Sequence, residues 1–129
     1  MPTTPVTPYV PQYITVHLGA PSAAAENVTV SFPEYVKNVA SSEIYPTWEP
    51  AAIEANILAI VSFALNRVYT EFYPSRGYDF DITSTTAYDQ KFIRGRNIFE
   101  NISRAVDETF NDYIRRTDFV EPLAAKFCN

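Results

Sequence analysis

Apolar and polar residues alternate along Tyr13-Ile14-Thr15-Val16-His17-Leu18. A period of two with β-branched residues predicts a strand with one buried face. Gly19-Ala20-Pro21-Ser22 turns the chain, and Asn27-Val28-Thr29-Val30 reads as a second strand, antiparallel to the first. The period then changes. Ser31 is placed to cap a helix, with Pro33 in its first turn and Glu34 three residues on, as in a capping box. Tyr35, Val36 and Val39 share one face of this helix, which should run to Ser42 or Glu43 and stop before Pro46.

A longer helix follows. Thr47 is its expected cap, with Glu49 and Pro50 in the first turn. Ile53, Ile57, Ile60, Val61, Ala64, Leu65, Val68 and Phe72 recur at helical spacing, and Leu58, Phe63 and Tyr69 widen the stripe. So wide a stripe predicts a central, buried helix packed on more than one side. Pro74-Ser75-Arg76-Gly77 ends it. Residues 78–83 read as a short strand or an extended stretch, and 84–90 as a polar, hydroxyl-rich loop of the length that often carries function. A third helix is expected over 97–114. Ile98, Ile102, Ala105, Val106, Phe110 and Tyr113 lie on its dry face, and its charges on the wet one. Residues 118–129 read as strand pieces around a turn. The fold class is therefore α+β: three helices, the central one long and buried, packed with a small, mainly antiparallel sheet.

Composition narrows the chemistry. A chain of 129 residues, 47% hydrophobic, builds one domain with a real core. Residues 1–12, with four prolines and three threonines, form an extended arm, and 13–129 form the domain. The net charge of -5 argues against nucleic acid, which needs a basic face; Lys91, Arg94 and Arg96 are the only basic cluster. One cysteine, Cys128, allows no intrachain disulfide and no multi-thiolate zinc site. The lone His17 sits in the first strand and reads as structural. Three glycines make no phosphate-cradling loop. The first residues have no secretory-signal pattern, and the longest apolar run, Ile57 to Leu65, is broken by Ser62 and is too short for a membrane span. The apolar end, Leu123 to Phe127, suggests that the chain is part of a larger domain or self-associates.

The candidate chemistry centres on Ser41-Ser42-Glu43-Ile44-Tyr45-Pro46-Thr47-Trp48-Glu49-Pro50. Glu43 closes one helix, and aromatic residues follow it. A glutamate among aromatic side chains is expected to be poorly solvated, the condition that suits a general acid at neutral pH. The plain alternative is a surface carboxylate near a helix end.

The order from Tyr35-Val36 through Ala40-Ser41-Ser42-Glu43-Ile44-Tyr45-Pro46 and Trp48 to the long helix resembles the signature of the stage II sporulation protein D (SpoIID/LytB) family. Gly77-Tyr78, Gln90-Lys91-Phe92-Ile93-Arg94-Gly95 and Ala105-Val106-Asp107-Glu108-Thr109 resemble its later motifs, in the family's order. The resemblance spans roughly residues 14 to 129. It implies a peptidoglycan lytic transglycosylase, cutting between N-acetylmuramic acid and N-acetylglucosamine to leave a 1,6-anhydro end. It also implies a cell-envelope or spore setting and glycan strands as the partner. Glu43 matches the catalytic glutamate. Thr85, Tyr88 and Gln90 would contact sugar hydroxyls, and Tyr45 and Trp48 would stack on rings. The chain departs from the family where Glu54-Ala55-Asn56 replaces Lys-Ala-Gln and where Ile60-Val61-Ser62-Phe63 replaces Ala-Arg-Thr-Tyr. Some members hold zinc through Cys and His near the Gln motif; Ser84 to Asp89 has neither, so no metal and no cofactor is expected. The family's C-terminal Ser-Gln-x-Gly segment and final helix are missing. Two functions therefore stand side by side: the enzyme, and a non-catalytic glycan-binding or assembly module on the same fold.

Overall fold

The structure, a computed structural model, describes residues 10–115. Most of the arm, all of the 118–129 strand pieces and Cys128 lie outside the described residues.

Strands β1 (Tyr13–His17) and β2 (Asn27–Ser31) pair antiparallel from Tyr13↔Ser31 to His17↔Asn27. Alternation puts Ile14 and Val16 inward, and both are buried. β3 (Ile82–Thr83) joins the other side of β1 in parallel, giving the order β2-β1-β3 and a mixed sheet. Asp81 lengthens this short pairing. Its carboxylate accepts the Thr15 N–H at 2.8 Å, and its own N–H donates to the Thr15 carbonyl at 2.9 Å. His17 is structural: its ring nitrogens meet Asn27 Oδ1 at 2.6 Å and the Ala23 carbonyl at 2.9 Å, and it stacks on Phe80.

Helix α1 (Phe32–Glu43) starts as the sequence predicts: Ser31 Oγ accepts the Glu34 N–H. Helix α2 (Pro50–Tyr69) does not. Its cap is Glu49, with no side-chain bond, so Thr47 stands outside the helix. It ends before Phe72, where Glu71 takes a positive φ of 50°. Helix α3 (Glu100–Arg115) begins three residues later than expected, leaving Ile98 in the preceding loop.

The centre of the fold is α1, not α2. Seven of the twelve residues of α1 are buried, against six of the twenty of α2. α1 touches α2, α3, β1 and β2. On α2, Ile53, Ile57, Ile60, Val61, Ala64 and Leu65 face inward, while Leu58 and Tyr69 are exposed. The expected burial on several sides is thus a single buried face. By length and composition alone α2 would suffice to cross a bilayer, although no unbroken apolar run does; a core helix passes the same test, and this one packs against α1, α3 and β3.

The 84–90 loop is held from below by Asp89, whose side chain is fully buried. Its carboxylate meets Arg67 Nε at 2.6 Å and accepts from Tyr73 Oη, Thr83 Oγ1 and the Thr83 N–H at 2.6–2.9 Å. The Arg67 guanidinium also lies over the Phe63 and Phe72 rings. A buried ion pair stabilises little by itself, but breaking one half is costly because it strands the other charge. Asp89→Asn should therefore lower unfolding free energy by about 3 kcal/mol. A urea midpoint unchanged from wild type would refute this.

Candidate functional site

One side of α1 carries polar residues that reach a single loop. Tyr35 Oη donates to Gln90 Oε1 at 2.8 Å. Asn38 binds both backbone groups of Ile93: its Nδ2 donates to the carbonyl at 2.7 Å, and its Oδ1 accepts the N–H at 2.9 Å. Ser41 Oγ accepts the Phe99 N–H, Ser42 Oγ accepts from Arg96 Nη1, and Glu43 Oε2 accepts the Lys91 N–H at 2.9 Å. Residues 90–99 thus lie along α1 with no strand to pair with. The helix's side chains satisfy polar groups that a sheet would otherwise serve.

Past Glu43 the helix stops. Ile44 is extended, and its N–H donates to the Ala40 carbonyl. Tyr45 and Pro46 continue outward, and Asn101 on α3 fixes the Pro46 carbonyl at 2.9 Å. The result is a groove of about 240 Å³, formed by residues 41–46 with Arg96 and Phe99 opposite. Glu43 is exposed at its edge, so the poor solvation expected from its aromatic neighbours is not realised. One carboxylate oxygen is fixed by Lys91; Oε1 has no bond among the described residues.

The other expected site residues divide. Tyr45 lines the groove at 68% exposure, and Trp48, 39% exposed, meets the Tyr45 ring edge-on at 5.9 Å. Both present open aromatic surface. Gln90 is buried beneath the loop, and its amide is taken up by Tyr35 and by the Ile60 carbonyl at 3.2 Å. It supports the site and does not face it. Thr85 accepts the Tyr88 and Asp89 N–H groups in a tight turn, and Tyr88 is exposed on that turn. Neither lines the groove. The groove adds Arg96 and Phe99, which sequence pattern does not single out. The small basic cluster is the one signal for Arg96, and it points to an anion without naming one. Among the described residues, no cluster of His, Cys, Asp or Glu is arranged to hold a metal ion.

Two phenols tied to the Asp89 and Gln90 contacts hold their protons above the usual tyrosine range. Tyr35 lies well above the usual tyrosine range, first because it is buried and then because Asp89 and Glu43 add negative charge nearby. Tyr73 is raised as well, by burial first and then by its hydrogen bond to Asp89 and the charge of that carboxylate.

A family model described as SpoIID, stage II sporulation protein, matches residues 22–115. No curated protein and no solved structure gives a significant match.

The two raised phenols make stability sensitive to alkali. In the unfolded chain a tyrosine ionises near 10, while in the fold these two keep their protons to higher pH. Above pH 10 the unfolded state therefore binds fewer protons, and stability falls as pH rises. Their contribution is fully present below pH 10. Urea unfolding should show that decline, and Tyr73→Phe should flatten it. An identical slope in the variant would count against this account.

Proposed function

The chain belongs to the SpoIID family of stage II sporulation proteins, which degrade peptidoglycan, and from that premise we propose that it is a lytic transglycosylase with Glu43 as its one acid and base. The observation that carries this is the Glu43 carboxylate itself. It stands at the groove edge, held by one oxygen, with the other open to a ligand.

The chemistry needs one carboxyl group. Protonated Glu43 gives its proton to the glycosidic oxygen, and the bond from that oxygen to the muramic C1 breaks. The 6-hydroxyl of the same sugar attacks C1, and its proton returns to Glu43. The products are a 1,6-anhydro end and a free 4-hydroxyl. Water takes no part, so the second carboxylate of a hydrolase is not required. Tyr45 and Trp48 offer apolar faces to sugar rings beside the acid. Gln90 acts at one remove: it sets the height of the loop whose Lys91 N–H holds Glu43.

The test is a digest of peptidoglycan sacculi read by mass spectrometry for anhydro-muropeptides. Wild type should release them. Glu43→Gln keeps an oxygen for Lys91 but has no proton to give, and should lower the rate by at least about a hundredfold. Release that survives Glu43→Gln would remove Glu43 from the mechanism. No release by wild type, with sacculi still bound, would leave the non-catalytic wall-binding module.

A further inference from the structure

We propose that Arg96 is an anion subsite of the Glu43 groove: it binds a carboxylate carried by the glycan strand and thereby sets which sugar faces the acid. This deepens the glycan-cleaving reading above and rests on it for the identity of the ligand.

The backbone aims Arg96 at the groove. Ile93-Arg94-Gly95-Arg96 is a turn, with the Arg96 N–H donating to the Ile93 carbonyl at 3.2 Å. Gly95 at φ 79° supplies the left-handed residue that such a turn requires in third position. The guanidinium is then held on three sides. Nε donates to the Asn97 carbonyl at 2.8 Å, Nη1 donates to Ser42 Oγ at 3.2 Å, and the Phe99 ring lies 5.4 Å away. Ser42 is itself oriented, because its hydroxyl donates to the Asn38 carbonyl.

None of these partners carries a charge. Three cations of the fold have carboxylate partners, Lys37 with Asp107, Arg67 with Asp89 and Arg94 with Glu26. Arg96 makes no ion pair among the described residues, although it shares a groove with Glu43 in a chain of net charge -5. Nη2 has no partner among those residues. A planar cation fixed in orientation, half-buried, with an open N–H edge, is the chemistry that recognises a carboxylate.

Wall glycan alternates a neutral amino sugar with one that carries acid. The acid is the lactyl carboxylate where no peptide is attached, or the carboxylates of the peptide where one is. The neutral sugar offers neither. A cation beside Glu43 therefore distinguishes the two sugars and fixes the register of the strand, so that the acid meets the bond on the correct side.

The experiment measures binding by calorimetry in the Glu43→Gln protein, which turns nothing over. Four ligands are compared: peptide-free muroglycan tetramer, the same tetramer with its lactyl carboxyls as methyl amides, the peptide-bearing tetramer, and N-acetylglucosamine tetramer. Adding Arg96→Ala should weaken the acidic ligands about ten- to a hundredfold and leave the neutral two unchanged. Arg96→Lys should restore part of the loss, and salt should weaken only the acidic ligands. A loss confined to the peptide-free tetramer assigns the lactyl carboxylate, a loss confined to the peptide-bearing one assigns the peptide, and a loss on both means that either carboxylate can occupy the subsite. Equal losses on acidic and neutral ligands would mean that Arg96 merely props the loop, and would overturn the proposal. So would no loss at all, or no binding of any acidic ligand. The two readings fail separately. Arg96-dependent selectivity without anhydro products from wild type keeps the subsite and loses the transglycosylase; products with Arg96-independent binding do the reverse.

Discussion

The loop from Gln90 to Phe99 has no strand beside it, and a backbone lying on a protein's interior needs partners. α1 provides them from its side chains. Asn38 is the central instance: one amide supplies a donor and an acceptor to the two backbone groups of Ile93, as a neighbouring strand would. Tyr35, Ser41, Ser42 and Glu43 hold the loop on either side. The groove exists because these bonds bring Arg96 and Phe99 against the end of the helix. The Glu43 carboxylate and the groove wall beside it are thus parts of one hydrogen-bonded unit.

A second polar anchor supports that unit from underneath. Asp89 gathers Arg67, Tyr73 and Thr83 from three separate stretches of chain. It fixes where the loop leaves β3, and Gln90, the next residue, passes the placement on to Tyr35 and to α2 through Ile60. The result is a chain of satisfied polar contacts between the sheet and the groove. Its members are buried, so each depends on the others keeping their geometry.

Local pattern made much of the scaffold readable. The alternation in β1 and β2, the Ser31 cap and the stripe of α2 all follow from neighbours in sequence. What could not be read is what covers what. Apolar count singled out α2 as the centre, yet burial depends on how many elements touch a helix, and α1 has more of them. Glu49, not Thr47, opens α2 because the Tyr45–Trp48 turn delays its start. The site was legible only in its helix half. Glu43 and Tyr45 are adjacent in the chain and were found together. Arg96 and Phe99 arrive from more than fifty residues away, through bonds made by Ser41 and Ser42 that no periodicity announces. Gln90 is buried because its amide is taken up by Tyr35 and the Ile60 carbonyl, partners far off in sequence that neither local pattern nor the family motif reveals.

The spacing of those bonds also bears on how such a protein can diverge. Tyr35, Asn38, Ser41, Ser42 and Glu43 of one rigid helix pin the loop at Gln90, Ile93, Phe99, Arg96 and Lys91. Inserting or deleting one residue between 90 and 99 would draw at least one of these points away from its partner, whatever residue was chosen. The segment from Tyr45 to Glu49, beyond the buried Ile44, is held more lightly, chiefly by the Asn101 bond to the Pro46 carbonyl. Differences in groove shape among relatives should therefore appear as changes of length before α2, while the Arg96 loop varies in residue type alone.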